Sequence, residues 1–225
     1  MTPSIVKNII RTPKRRAKQP RSRISYMSSE QLERFLLAAR EHGSREHAMF
    51  LFAVAHGARA SEIANLRLSD INFRAEQIHI ARLKGSLDST QTLLRVKGNT
   101  LFNEPAALKD WLATRRPDAD NFVFNSQKST QLSRVTIYKI FKAIAKKAGL
   151  GETLQHPHVL KHTLAKNLVR QGVPLNEIQA YIGWASIATL DWYLRADEEE
   201  LGQRIGNAIR AKIGLRQVQQ GSLFS

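Results

Sequence analysis

Three residues able to do chemistry fall within five positions in the stretch "HPHVLKHTLAKNLV" (156–169): His158, Lys161 and His162. Histidines at i and i+4 put two imidazoles on one helical face, a spacing that suits a metal site, a phosphate clamp or the solvated start of an ordinary helix. The metal reading lacks a third ligand. No glutamate follows the first histidine, as it would on a metalloprotease helix, and Lys161 would repel a cation. No glycine-rich loop with a lysine and a hydroxyl residue precedes a helix, so ATP is not implied, and the strained serine turn of a Ser-His-Asp hydrolase is missing. A phosphate clamp would need further cations brought in from distant parts of the chain.

The elements that could bring them are legible from the pattern. Ser28 and Gln31 have capping-box spacing, and Leu32, Phe35, Leu36 and Ala39 recur at helical intervals, which predicts a helix over about 29–41. "SREHAMFLFAVAHG" reads as a more apolar helix ended by Gly57, and "ASEIANL" starts another, so Arg59 sits at a junction between buried helices. "QIHIARLKGSLDSTQTLLRV" alternates instead, with Ile78 and Ile80 on one face and Gly85 in a turn: a small sheet or hairpin with Lys84 near its tip. Helices return with "PAALKDWLATR", "SRVTIYKIFKAIAKKAG", the histidine stretch, "VPLNEIQAYIG" between Pro174 and Gly183, and "DEEELGQRIGNAIRAKIG", whose acidic first turn suits the helix dipole. The expected fold class is mainly α with a small antiparallel β-sheet (α+β).

Composition narrows the partner. The 225 residues hold 35 Lys and Arg against 19 Asp and Glu, a net charge of +16 with a pI near 10.6, and a polyanion is the natural complement. Lys7, Arg11, Lys14, Arg15, Arg16, Lys18, Arg21 and Arg23 all precede the first acid, Glu30. Pro13 and Pro20 break that arm and it has almost no apolar face, which favours nucleic acid over a membrane surface. Lys14, Arg15, Arg16 and Lys18 are its densest DNA-contact candidates. The absence of cysteine excludes structural disulfides and thiolate metal sites, and no signal peptide or spanning segment is visible, so a cytoplasmic location is expected.

Taken together, the boxes resemble those of the tyrosine recombinases, the phage integrase family. "AHGARASEIANLRLSDINF" is similar to the first arginine box, "IHIARLKGSLDSTQTL" to the lysine-bearing hairpin, and "HPHVLKHTLAKNLVRQGVPLNEIQAYIGWASIATLDWYL" to the His-x-x-Arg-His box, the Gly-His or Gly-Trp box and the nucleophilic tyrosine. Trp184 and Tyr193 are nine positions apart, the family's spacing. Singly, Tyr193 reads as a packed aromatic, Trp184 as a core anchor, Arg59 as an ion-paired group and Lys84 as a solvated hairpin charge. Their joint order reverses those odds.

The resemblance implies the recombinase catalytic-domain fold and a reaction needing neither metal nor ATP. Tyr193 would attack a DNA phosphodiester and hold the 3′ phosphate, Arg59 would grip non-bridging oxygens with its fork, and Lys84 would protonate the departing 5′ oxygen. His158 would be the acid–base partner, His162 and Trp184 hydrogen-bonding members, and Glu62 a support for the arginine box. The departure from the pattern is Lys161, where the family carries its second arginine. A lysine keeps the charge but loses the bidentate grip, so slow catalysis is expected, and a non-catalytic DNA-binding relative is the alternative. Type IB topoisomerase activity is a related third outcome.

With its first catalytic helix near residue 29, the chain resembles the short, fimbrial-inversion type without a core-binding domain: a basic arm (1–24), a catalytic domain (25–214) and a tail (215–225). Implied partners are double-stranded DNA recombination sites, further copies in a homo-tetramer, and an accessory DNA-bending protein. A bacterial, phage or mobile-element source and nucleoid association go with that reading.

Overall fold

A computed structural model describes residues 24–82, 88–126, 128, 130–186 and, near the C-terminus, 202, 205–207 and 209–210. The basic arm (Lys14, Arg15, Arg16 and Lys18 included), Lys84, Tyr193 and the tail lie outside the described residues.

The chain opens with α1 (Ser29–His42), α2 (Ser44–His56) and α3 (Ala60–Asn65), followed by β1 (Ile71–Asn72), β2 (Gln77–Ile80) and β3 (Ser89–Thr92). Among the described residues α4 (Glu104–Thr114), α5 (Arg134–Lys147), α6 (His158–Arg170) and α7 (Leu175–Ile182) follow, with further helical residues at 202, 205–207 and 209–210. The strands form one antiparallel sheet in the order β1-β2-β3, with Ile78 opposite Gln91 and Ile80 opposite Ser89. Of the small sheet or hairpin expected, the structure forms the sheet, with β1 as a third strand beside the β2–β3 hairpin. β1 is only two residues long, too short for an alternating pattern to register.

The capping box at Ser28 is formed: its hydroxyl accepts from the Gln31 N–H at 3.1 Å and the Gln31 side chain accepts from the Ser28 N–H at 2.9 Å. One residue earlier, the Met27 N–H donates to the Thr163 hydroxyl at 2.9 Å, so the entry to α1 is tied to α6. α2 runs through the middle, packed by α1, α4 and α6, and nearly every residue of it is buried, which is why the run 48–55 is apolar on every face, while the buried Glu46, His47 and His56 near its ends hydrogen-bond or ion-pair. Phe35, Phe50 and Phe141 join α1, α2 and α5 in an aromatic cluster with centroids 4.6 to 5.4 Å apart.

Gly57 ends α2 at φ 59°, and a Cβ there would come within 3.2 Å of Ile182 and 3.3 Å of Leu164. Glycine therefore satisfies both the left-handed turn and the close approach of α2 to α6 and α7. That turn delivers Arg59 to the mouth of a cleft.

Candidate phosphate-binding site

The cleft measures about 390 Å³ and is lined by Arg59, Arg134, Val135, Tyr138, His156 and His158. Arg59 caps α3, and His158 opens α6. Both positions follow from local signals: the glycine turn before Arg59, and Pro157 before a helix whose first turn is left without a side-chain cap.

Arg59 is held from below by Glu62. The carboxylate accepts from the Arg59 backbone N–H at 2.8 Å and from its Nη1 at 2.7 Å, while Arg59 Nη2 donates to the Gly183 carbonyl at 3.3 Å. The guanidinium keeps a quarter of its surface open to solvent. Burial alone would raise the Glu62 pKa, but the Arg59 hydrogen bonds and the charges of Arg82 and Lys161 outweigh it and hold the carboxyl below its ordinary value. Glu62 thus stays ionised under two arginines and a lysine.

Lys161 is completely buried, its Nζ donating to the Ile182 carbonyl at 2.8 Å and lying 5.8 Å from the centre of the Trp184 ring. Burial first, then Arg59 and Arg82, pull its pKa from 10.5 to about 7, with Glu62 opposing. The ammonium therefore sits beneath the cleft rather than at its surface. His158 and His162 meet edge to face at 4.7 Å. Desolvation of its packed edge and the neighbouring Lys161 and Arg59 charges lower the pKa of His158, which is otherwise exposed. His162 is pushed down to about 3 by burial, then by His158, His156 and Lys161. Both rings are neutral at pH 7, the state able to accept a proton.

Arg59, Glu62, His158, Lys161, His162 and Trp184 thus converge from α3, α6 and the end of α7, whereas Lys84 and Tyr193 lie outside the described residues. Four residues that sequence reasoning passed over complete the floor. Arg82 has a fully buried side chain and donates through Nη1 to Glu62 at 3.1 Å and through Nη2 to the carbonyls of His56 at 2.9 Å and Tyr181 at 2.7 Å. Beneath it His56 bridges Gln91, at 2.7 Å, and Glu104, at 3.0 Å, and Gln91 Nε2 donates to the same Tyr181 carbonyl at 2.8 Å. A signal for Arg82 did exist: β2 alternates exposed and buried, and the continued register Ile78, Ile80, Arg82 points inward.

Comparison with known proteins places these features in a family. The Phage integrase family pattern matches residues 25–200. The chain is 36% identical over 174 residues to the type 1 fimbriae regulatory protein FimB of Escherichia coli K12, covering 75% of this chain and 83% of that protein. It is 26% identical over 196 residues to the tyrosine recombinase XerA of Pyrococcus furiosus, covering 86% of this chain and 65% of the other. Among solved structures, a crystal structure of XerA recombinase superposes with a TM-score of 0.66 at 25% identity, covering 92% of this chain and 68% of that one. XerH site-specific recombinase, in a post-cleavage complex with a palindromic difH substrate, shares the fold with a TM-score of 0.67 at 23% identity over 85% of this chain and 54% of the other.

Proposed function

Starting from the fact that this chain belongs to the phage integrase family, the tyrosine recombinases, we propose how its own residues carry out DNA cleavage and rejoining. The chain is a DNA recombinase of the fimbrial invertase type, performing site-specific recombination. In the proposed reaction, the Tyr193 oxygen attacks a DNA phosphorus, the bond to the 5′ oxygen breaks, and a 3′-phosphotyrosyl ester conserves the bond energy for rejoining. A second strand's 5′ hydroxyl reverses the step on the partner site and gives a Holliday junction.

The observation that carries this reading is the meeting of Arg59 and His158 at one open cleft, with Lys161 and Trp184 directly behind. A phenol with a pKa near 10 attacks poorly unless its proton is taken and the phosphate charge is neutralised. Arg59, braced by Glu62 and still exposed, is placed to grip a non-bridging oxygen with a fork already oriented. His158, neutral and at the cleft edge, takes the acid–base role, with His162 and Trp184 completing the hydrogen-bonding set. Lys84, on the segment after β2, supplies the proton to the leaving 5′ oxygen.

Lys161 makes the reaction slow. It adds positive charge from below the cleft but no second fork, and losing one preorganised donor costs about a hundred- to a thousandfold in rate. The basic arm of residues 1–24, with Lys14, Arg15, Arg16 and Lys18, adds backbone contacts outside the catalytic domain (25–214).

Double-stranded DNA is the substrate, and a tetramer on two sites is the working assembly. An apolar groove of about 560 Å³ between α1, α2, α6 and α7, lined by Leu32, Val54, Leu168, Ile178 and Tyr181, supports that assembly. Ile205 and Ile209, half exposed and four residues apart, give the C-terminal segment an apolar face for such a groove, on the next copy or on its own chain.

The test is a nicked suicide DNA from which the cleaved fragment escapes. Wild type is expected to form a covalent protein–DNA adduct that Tyr193→Phe abolishes. Tight binding with no adduct from wild type would make the chain a DNA-binding relative instead.

A further inference from the structure

Three consecutive carbonyls at the end of α7 are each held by a different cation: Tyr181 by Arg82, Ile182 by Lys161 and Gly183 by Arg59. The last turn of a helix carries partial negative charge, so this end of α7 is a ready seat for cations. Arg59 lines the cleft and Lys161 lies buried beneath it; Arg82 is also buried and is not part of the cleft lining. Its side chain is fully buried, and all the partners named for it are protein groups: Glu62 from α3, the His56 carbonyl that ends α2, and Tyr181 of α7.

Among the described residues Arg82 Nε has no hydrogen-bond partner. A buried donor left unpaired is a cost that packing alone would select against, and an apolar residue at the end of β2 would avoid it. The glycine at 183 tightens the fit: at φ 69° its absent Cβ would lie 3.0 Å from Arg82 Cδ and Nε. The pattern is that of a guanidinium fitted to join three elements, under a carboxylate it shares with Arg59.

Resting on the recombinase reading of this site, we propose that Arg82 is a positioning residue for DNA cleavage. It locks α2, α3 and the end of α7 into one frame, and thereby sets Arg59 and Lys161 against the scissile phosphate without touching it. Arg82 also faces Lys161 electrostatically, together with Arg59 and Glu62 on α3 and His158 and His162 on Lys161's own helix. Its charge is one of those that favour loss of the Lys161 proton.

The experiment measures single-turnover cleavage of suicide DNA at saturating protein, across pH 6 to 9, for full-length wild type, Arg82→Lys and Arg82→Gln, alongside DNA affinity and thermal melting. Arg82→Lys keeps the charge but not the three-way fork; it is expected to bind DNA within a few-fold of wild type while cleaving about a hundredfold more slowly, the scale of a misplaced catalytic group. Its pH profile should keep the wild-type position. Arg82→Gln should also cleave slowly, but with the alkaline fall in rate moved to higher pH, because Lys161 holds its proton longer once that charge is gone.

If Arg82→Lys folds, binds and cleaves like wild type, or if both variants lose cleavage only in proportion to lost folded protein with the pH profile unmoved, Arg82 is a structural residue and the proposal fails. Should Arg82→Gln not fold, Gly183→Ala displaces the guanidinium while leaving its charge, and normal cleavage by that variant would likewise overturn it. Wild type giving no Tyr193-dependent adduct would bring down the recombinase reading itself, a result distinct from these.

Discussion

Lys161 donates to the Ile182 carbonyl oxygen at 2.8 Å from a position with no solvent exposure at all. A buried ammonium beside Arg59 and Arg82, with a pKa near 7, is an uneasy choice where the family uses an arginine that never loses its proton. On the proposed reading of the site, lysine at 161 would turn a permanently charged clamp into one that titrates within the working pH range.

Replacing that lysine should therefore speed the enzyme. Lys161→Arg is expected to raise single-turnover cleavage by about ten- to a hundredfold, part of what one preorganised donor is worth. The wild-type rate should fall at alkaline pH, where Lys161 in the DNA complex sheds its proton at a pKa raised above the free protein's value of about 7, and the Lys161→Arg rate should not. A matching alkaline fall in both proteins would assign that limb to another group.

Binding should also take up protons. A phosphate dianion or diester beside Lys161 favours the ammonium, so its pKa rises in the complex and DNA affinity weakens as pH increases from 7 to 9. Calorimetry in buffers of different ionisation enthalpy reads the uptake directly, and Lys161→Arg should abolish its alkaline part.

Folding stability should decline toward acid pH for a reason visible in the site. The folded pKa of His162 is depressed to about 3 while the unfolded chain titrates near 6.5, so between those values the unfolded state binds a proton that the folded state refuses. Stability is lost as pH falls through that window, and it is lost further below about 4.5 as Glu62, also depressed, is protonated. Urea melts from pH 7.5 to 4 should show this slope, and His162→Gln should flatten its upper part.

The same carboxylate predicts a large static effect. Glu62→Ala leaves Arg59 and the buried Arg82 facing each other without their shared counter-charge. Breaking one side of a buried ion pair costs about 3–5 kcal/mol, so the variant should melt markedly lower even without DNA. A change within about 0.5 kcal/mol, typical of a surface site, would contradict the buried-network description.

Truncation of residues 1–24 should weaken DNA binding and flatten its salt dependence. Eight phosphate contacts by the arm's basic residues would contribute a slope of roughly −7 in log K against log salt. Unchanged affinity and slope would show that the arm does not meet DNA.

Much of the architecture was legible because local rules and tertiary needs agree. The Ser28 box, the Gly57 and Gly183 stops and the apolar run 48–55 within α2 mark elements whose ends and burial the sequence states outright. The convergence of Arg59 and His158 on one cleft, with Trp184 behind it, follows motif order rather than periodicity, since chain-distant groups share no local pattern. What stayed hidden was the second layer. His56, Gln91 and Glu104 look like an ordinary helix end, a strand residue and a helix start, and only the fold brings Gln91 and Glu104 within 3.0 Å of His56. The burial of Lys161 leaves no local mark either, since the field of Arg59, Glu62 and Arg82 that makes it possible is a tertiary property.

The most direct test of the central claim is to trap the covalent complex on suicide DNA, digest both components, and identify by mass spectrometry the peptide residue and the nucleotide end that are joined. The account predicts Tyr193 carrying a 3′-phosphate, with a free 5′ hydroxyl on the released strand. An adduct on any other residue, or one joined through a 5′-phosphate, would contradict it.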